Sequence, residues 1–404
     1  MTMQQINKIK SLMVPNLRFP EFTEEWTGAT VGNCFELYSG NTPSRLDKEN
    51  FNGDINWITS GELKEHYIGN TKEHISEEVV KGNNLKLLPV GTFVIAIYGL
   101  EAEGVRGTGS ITTQKSTISQ ACMAFTPTSM ITNEFLYSWY KKHGNIIGIK
   151  YAQGTKQQNL CYEIIEKFKI QYPSLKEQEK LNRFISLLDE RIATQSRIID
   201  KLQSLMGGIT QRIRHSQGTK NVLLKDLLFE RVEKNQEQYA VHSVSVSEGI
   251  INQVEYLGRS FAATDTSHYS VVHYGDIVYT KSPTGSFPYG IAKRSWVEGN
   301  AAVSPLYGVY KPLNDYVGIY LHYYFCSPSN AQNYLHKLIQ KGAKNTINIT
   351  NQRFLENYVP IPPAKALQHY VLLMTSLSKK LKLEQDTYNS LSCQKSYLLQ
   401  QMFI

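Results

Sequence analysis

Cysteine is scarce in this chain of 404 residues: Cys34, Cys122, Cys161, Cys326 and Cys393 are all there are. Their number is odd, they are widely scattered, and no C-x-x-C pair occurs. Neither a zinc knuckle nor a disulfide framework is supported, and the five read as ordinary buried thiols in a reducing cytosol. Long apolar runs are missing too. The most apolar stretch, Leu87 to Leu100, is interrupted by Pro89 and Gly91 and is too short to span a bilayer. Met1 to Lys10 is too polar for a signal peptide. The expectation is a cytosolic protein with no membrane association.

The marks of catalysis are equally absent. No Gly-Lys-Ser/Thr phosphate loop occurs, which argues against an ATP-driven motor. The single Pro-Pro, in Ile361-Pro362-Pro363-Ala364, lacks the Asn or Asp before it and the aromatic after it with which an adenine methyltransferase grips a flipped base. Gly104-x-x-Gly107-x-Gly109 has no strand-loop-helix context, so it is not read as a cofactor fingerprint. Ten histidines are dispersed, and the 35 acidic residues show no nuclease-like spacing. The expectation is a protein that is not an enzyme and holds neither cofactor nor metal. A self-contained modifying enzyme remains a rival, which methyl transfer by the purified chain alone would support.

What is present suits a folded, basic protein. The chain is 41% apolar with 25 Tyr and 15 Phe, enough to fill proper cores. Its length suggests two or three domains at roughly 100–200 residues each. The net charge of +8 and isoelectric point near 9.0 suit a polyanionic partner, although solvated lysines alone produce the same balance.

The chain says the same thing twice. A helix seam runs through Leu181, Ile185, Leu188, Ile192, Gln195, Ile199, Leu202, Met206, Ile209 and Ile213, alternating in steps of four and three. A second runs through Tyr370, Met374, Leu377, Leu381, Glu384, Tyr388, Leu391, Lys395, Leu398 and Met402, each 189 positions after its counterpart. The polar interruption recurs as Gln195 and Glu384, where a seam polar residue costs stability and can fix register. Both helices would be about 40 residues, or roughly 60 Å long. A plain core seam is the simpler account of either one.

The segments ahead of the helices correspond as well. Gly91 to Ile95 resembles Gly275 to Tyr279, a turn entering an apolar strand; Ile118 to Pro127 resembles Val303 to Pro312. Gly154-Thr155-Lys156-Gln157 resembles Gly342-Ala343-Lys344-Asn345, and Phe168 to Pro173 resembles Tyr358 to Pro363. Each globule reads as α+β, with helices near Asn133 to His143 and near Tyr316 to Lys341. The expected boundaries are 1–173 for the first globule, 174–216 for its helix, 217–362 for the second globule and 363–404 for its helix. The join falls near Gln217-Gly218-Thr219.

This plan resembles the specificity subunit of Type I restriction-modification systems. The resemblance covers essentially the whole chain. It rests on the duplicated layout, on Pro173-Ser174-Leu175-Lys176-Glu177-Gln178, on Gly275-Asp276-Ile277-Val278, and on Leu398-Leu399-Gln400-Gln401-Met402-Phe403. The resemblance implies two α+β target recognition domains in tandem, each reading half of a split double-stranded DNA target. It implies two long helices packed as an antiparallel coiled coil on a pseudo-two-fold axis, and two methyltransferase and two motor-nuclease subunits as partners. The second helix opening, Pro363-Ala364-Lys365-Ala366-Leu367-Gln368, keeps the proline and glutamine but not the acidic residue, which puts local contacts in doubt. Two rigidly spaced modules should touch half-sites about one helical turn, near 10 bp, apart. Helix length should then set the unread gap. A scaffold whose globules bind something other than DNA is the rival reading, and failure to bind any duplex would favour it.

Base readout calls for Arg or Lys on guanine and Asn or Gln on adenine. Lys156, Gln157 and Asn159, with their partners Lys344, Asn345 and Asn348, offer such groups after a glycine turn. Because both halves share that tract, it reads as phosphate contact or structural support before base discrimination. Discrimination is expected where the halves differ. In the first half these candidates are Arg45, and Tyr98, Arg106, Thr108 and Ser110 in a glycine-rich loop. In the second half they are Lys281, Ser282, Thr284, Tyr289 and Lys293. Exposed turns without function are the bland alternative for all of them. The helix seams, where Leu181, Ile185, Leu188, Ile192, Ile199, Leu202, Met374, Leu377, Leu381, Leu391 and Leu398 stand, are the expected spacer and partner surface.

Overall fold

The computed structural model describes residues 13–102, 104–154, 156–258, 265–341 and 347–404. They divide into two compact units: one of the described residues up to Gln195 with Thr387–Ile404, the other of those within Ser196–Asp386.

In chain order the first unit carries β1 (Thr27–Thr30), β2 (Phe35–Ser39), β3 (Ile55–Ile58), β4 (Tyr67–Ile68), β5 (His74–Ile75), β6 (Phe93–Ala96), β7 (Gly109–Thr112), β8 (Ser116–Ile118) and β9 (Cys122–Pro127). Helix α1 (Asn133–Tyr151) and β10 (Lys169–Tyr172) follow, and then the long α2 (Leu175–Ile213). The second stretch holds β11 (Lys220–Leu223), β12 (Leu228–Glu230), β13 (His242–Ser245), β14 (Gly249–Asn252), β15 (Ser270–Val272), β16 (Ile277–Thr280), β17 (Ile291–Arg294), β18 (Ala301–Val303) and β19 (Gly308–Pro312). It continues through α3 (Asp315–Cys326), α4 (Pro328–His336), β20 (Gln340–Lys341), β21 (Ile347–Asn348) and β22 (Tyr358–Ile361) to α5 (Ala364–Met402).

The duplication is visible in the sheets. The first unit orders its main sheet β2-β9-β6-β7-β4, and the second orders its own β12-β19-β16-β17. The first four strands of that order therefore match one for one, and β4 is an addition at one edge. Each unit also closes with a two-stranded antiparallel ribbon, β1 with β10 and β11 with β22. All four residues of β6 and of β16 are buried, as expected for strands covered on both faces. A helix covers each sheet. Thr132 caps α1 by accepting the Phe135 N–H at 3.2 Å, and Asn314 caps α3 by accepting that of Val317 at 3.0 Å.

Two sequence expectations are corrected. The helix expected near Tyr316 to Lys341 is two helices, because Ser327 caps a second one with Pro328 in its first turn. Proline disfavours helical backbone at the residue before it and cannot donate the hydrogen bond a continuous helix needs. Beyond α4, Gln340–Lys341 is strand. The second correction is a one-residue slip. Strand β22 and helix α5 begin and end 189 positions after β10 and α2, so Pro362 matches Pro173. Leu367, not Gln368, then stands where Gln178 does. Gln178 is fully buried, donating to the Met130 and Pro173 carbonyls and accepting the Thr132 N–H. Leu367 fills the same place with carbon, buried in the second core.

Both long helices reach 39 residues, close to the expected 40. Within the first unit, Leu181 and Ile185 share a core with Leu399, Met402 and Phe403, with Leu188 and Leu398 at its edge. Lys395, a defect by apolar pattern, pairs with Asp189. Within the second, Met206 lies among Tyr370 and Met374, and the Thr210 and Tyr370 hydroxyls bond at 2.8 Å. Leu202 and Leu391 are buried; Ile192, Ile199, Leu377 and Leu381 are half-buried. Gln195 is buried, and Glu384 pairs with Lys380 at 3.9 Å. Among the described residues no helix is long and apolar enough to cross a membrane.

Candidate nucleic-acid interface

In the first unit the structure joins two tracts that lie apart in sequence. After β6 the chain loops through residues 97–108, and the tract 153–160 hydrogen-bonds along it. The Leu100 N–H donates to the Gln158 carbonyl at 3.0 Å, and the Leu160 N–H to that of Ile97 at 2.8 Å. Tyr98 and Asn159 face each other in a bridge, while Asn159 and Gln153 exchange bonds of 2.9 and 2.8 Å. The Gln158 N–H donates to the Glu101 carboxylate at 2.9 Å and, as its main cause, holds that carboxyl below its ordinary value.

Within this double loop the candidates take different parts. Arg106 is a pin: its Nε donates to the Leu100 carbonyl at 2.9 Å, and its stem lies against Gly148 of α1. Thr108 donates to the Val105 carbonyl at 2.7 Å. Ser110 is fully buried in β7, donating to the Glu65 carbonyl at 2.5 Å; the run Gly109–Thr112 is strand interior and offers nothing outward. Lys156 and Gln157 stand exposed at the tip, and Thr155 lies outside the described residues. Gly154 makes the tip possible. Its φ is +113°, and a Cβ there would lie 2.0 Å from the Gln157 carbonyl oxygen. Arg45 sits elsewhere, on Phe51 and Trp57, with Glu73 accepting from both its terminal nitrogens at 2.7 and 2.9 Å.

In the second unit the loop after β16 turns back on itself. Thr284 and Phe287 exchange backbone bonds of 3.1 and 2.9 Å, with Phe287 buried beneath. Ser282 and Thr284 are exposed, Lys281 is half-buried, and Tyr289 rests near the His336 ring. The Tyr279 hydroxyl donates to the Tyr289 carbonyl at 2.8 Å. Gly290, at φ +100°, would place a Cβ 2.0 Å from the Thr280 carbonyl oxygen, so the exit of this loop needs glycine as the tip at Gly154 does. Lys293 is not a surface residue: it is buried in β17 with its ammonium 3.3 Å from the Cys326 sulfur. Asn348 pairs by backbone with Gln340, as Asn159 does with Gln153. Lys344 and Asn345 lie outside the described residues.

Sequence reading missed the loop organisers, Glu101 and Gln158. Their bonds run largely through backbone atoms and leave no side-chain signature. It also read every cysteine as an ordinary thiol, whereas Cys326 stands between His322 and Lys293. The spacing of His322 and Cys326, four apart on one helix, was the available signal.

The model of the family described as Type I restriction modification DNA specificity domain matches residues 23–204. Over that stretch the chain is similar to Type I restriction-modification specificity subunits. Among curated relatives of that family, the Type I restriction enzyme MjaIX specificity subunit of Methanocaldococcus jannaschii is 27% identical over 186 residues, covering 44% of this chain and 42% of the relative. The EcoR124I/EcoR124II specificity subunit of Escherichia coli is 25% identical over 197 residues, covering 48% and 45%. The matched stretch thus spans less than half the length of either relative. The fold is that of solved family members. A crystal structure of the system's S subunit from M. genitalium superposes with a TM-score of 0.59 at 14% identity, covering 97% of this chain and 99% of that one. A chain from a structural study of complex assembly and conformational transition of the type I R-M system superposes at 0.52 and 13% identity, over 94% and 97%.

Proposed function

We propose that this chain is a specificity subunit that reads a bipartite DNA target and directs adenine methylation and cleavage by partner subunits, without chemistry of its own. The domains are those drawn from the sequence: recognition by 1–173 and 217–362, spacing by 174–216 and 363–404. Two methyltransferase subunits are the partners for modification, with two motor-nuclease subunits added for cutting, in the prokaryotic cytosol and on DNA.

The observation that carries this reading is the match of sheet order between the units, set against loops that differ at the matching place. A common scaffold under unlike loops is the arrangement that lets one chain read two different half-sites. Of the exposed groups, Ser282 and Thr284 stand where the loops differ and supply small donors and acceptors for base edges, while Lys156 and Gln157, in the tract both halves share, supply phosphate contact. Arg106 and Thr108 brace the first loop from within, while Ser110 and Lys293 are buried in strands.

Selection of random duplexes by the chain together with its methyltransferase partner, read by sequencing, tests this. The expected product is two fixed blocks separated by a constant number of unread bases. A single continuous block, or no enriched sequence, would overturn the proposal.

A further inference from the structure

We propose that the Cys326 thiol of the second unit is a peroxide-reactive modification site, held as a thiolate by His322 and Lys293. Cys326 closes α3 as a half-buried residue, while Cys34 and Cys122 are buried outright. His322, one turn earlier on the same helix, places Nε2 3.7 Å from the sulfur. Its other nitrogen, Nδ1, accepts the Arg294 backbone N–H at 3.1 Å. A neutral imidazole that accepts at Nδ1 carries its proton on Nε2, so the neighbouring β17 strand fixes the tautomer that donates to sulfur.

Lys293 supplies the second donor, with Nζ 3.3 Å from the sulfur. The residue is 6% exposed, and among the described residues no carboxylate pairs with it. A buried ammonium without an anion is strongly disfavoured, and the thiolate is the anion available. Tyr323 on α3 and Tyr370 on α5 also face the thiol; burial pushes both phenols up, so they stay neutral through the working range. Burial alone would push the Cys326 thiol up as well, and His322 and Lys293 more than reverse this, bringing it to about 6. Cys122 shows the uncompensated case, with burial driving its thiol to about 12.

The reaction follows from the donor set. The thiolate attacks one peroxide oxygen, and the S–O bond forms as the O–O bond breaks. Sulfur is oxidised to sulfenic acid, and the departing hydroxide takes a proton from the Lys293 ammonium to leave as water.

The test is alkylation of the purified full chain by iodoacetamide across pH 5–9, quantified by mass spectrometry at each cysteine. Cys326 should rise with a midpoint near 6, well below the ordinary thiol range. In Lys293→Met or His322→Phe the midpoint should move up, with reaction at pH 6 roughly tenfold slower. Hydrogen peroxide with a cyclic 1,3-dione should tag Cys326 ahead of the other four cysteines. A Cys326 midpoint in the ordinary thiol range would overturn the proposal, and so would a cysteine inert to both reagents until the chain unfolds. The wild-type profile decides the matter even where a variant fails to fold.

Discussion

The two units place the same strands in the same order and finish them with opposite chemistry. Beside β10 the first unit has a mostly apolar hollow of about 770 Å³ whose lining includes Trp139, Ile147, Phe168 and Ile404 together with Lys150 and Glu163. Beside β22 the second has one of about 530 Å³ lined by Arg214, His215, Asn221, Asn333 and Lys337. The contrast recurs at the helix openings. Glu177 is buried against Arg18, which donates to it twice at 2.7 Å, and against the Trp26 indole at 3.3 Å. Ala366 stands at the matching position and has no such carboxylate. It recurs again in the loops, where the first unit ties residues 97–108 to a second tract and the second folds residues 281–290 on themselves. What the units share is backbone architecture, and what distinguishes them is side chains at fixed places on it. A protein that reads two unlike half-sites needs that division.

The comparison can be broken most severely at the cores. Phe354 is fully buried, 4.3 Å from the Tyr279 ring and 5.2 Å from that of Tyr310. Phe354→Ala should cost about 4 kcal/mol in denaturant unfolding of the second unit; Ile165→Ala, at the matching place of the first, should cost about 3. Glu177→Ala comes next. It leaves Arg18 short of its partner in a site where the carboxylate is 2% exposed, and should cost about 3 kcal/mol. The reverse change, Ala366→Glu, should stay within about 0.5 kcal/mol because that position is half-exposed. A cost at Ala366→Glu as large as that at Glu177→Ala would remove the asymmetry.

Smaller effects sharpen the loop contrast. Arg106→Met should free the 97–108 loop, costing about 1–2 kcal/mol through the Leu100 carbonyl and raising hydrogen exchange at Gln158. Acid should do the same by another route. Glu101 titrates below its ordinary value in the fold, so its bond to the Gln158 N–H is present above the ordinary carboxylate range. That bond is lost only as pH falls through the lowered folded value. Exchange at Gln158 should therefore stay slow through the range in which exposed carboxylates titrate and quicken below it. Lys156→Ala should leave stability within about 0.5 kcal/mol and reduce the salt slope of DNA affinity by about one, uniformly across sequences. Thr284→Ala should be silent in stability and change only the half-site read by the second unit, as sequencing of selected duplexes would report.

Much of the architecture was legible because it is written in apolar spacing. The seams of α2 and α5, their 189-residue offset and the buried strands β6 and β16 are all periodic patterns that burial enforces. The break at Pro328 was also legible, since proline cannot continue a helix, and was passed over in an apolar run. The register slip at β22 came from Pro362-Pro363, where either proline fits ahead of a helix and only strand pairing decides. The loop site was legible in part. Glycines marked Gly154 and Gly290 as turns, but the joining of 97–108 to 153–160 depends on backbone bonds that any residues can make. Ser110 and Lys293 looked like surface donors because their polarity says nothing of the sheet that covers them.

The role proposed for this chain is to choose the DNA sequence on which others act. Adenine methylation mapped base by base tests it most directly, comparing a host that holds the methyltransferase partner and this chain with one lacking only this chain. The expected map holds a split motif, two fixed blocks around an unread gap, that appears only when the chain is present. Identical methylation in the two hosts would contradict it.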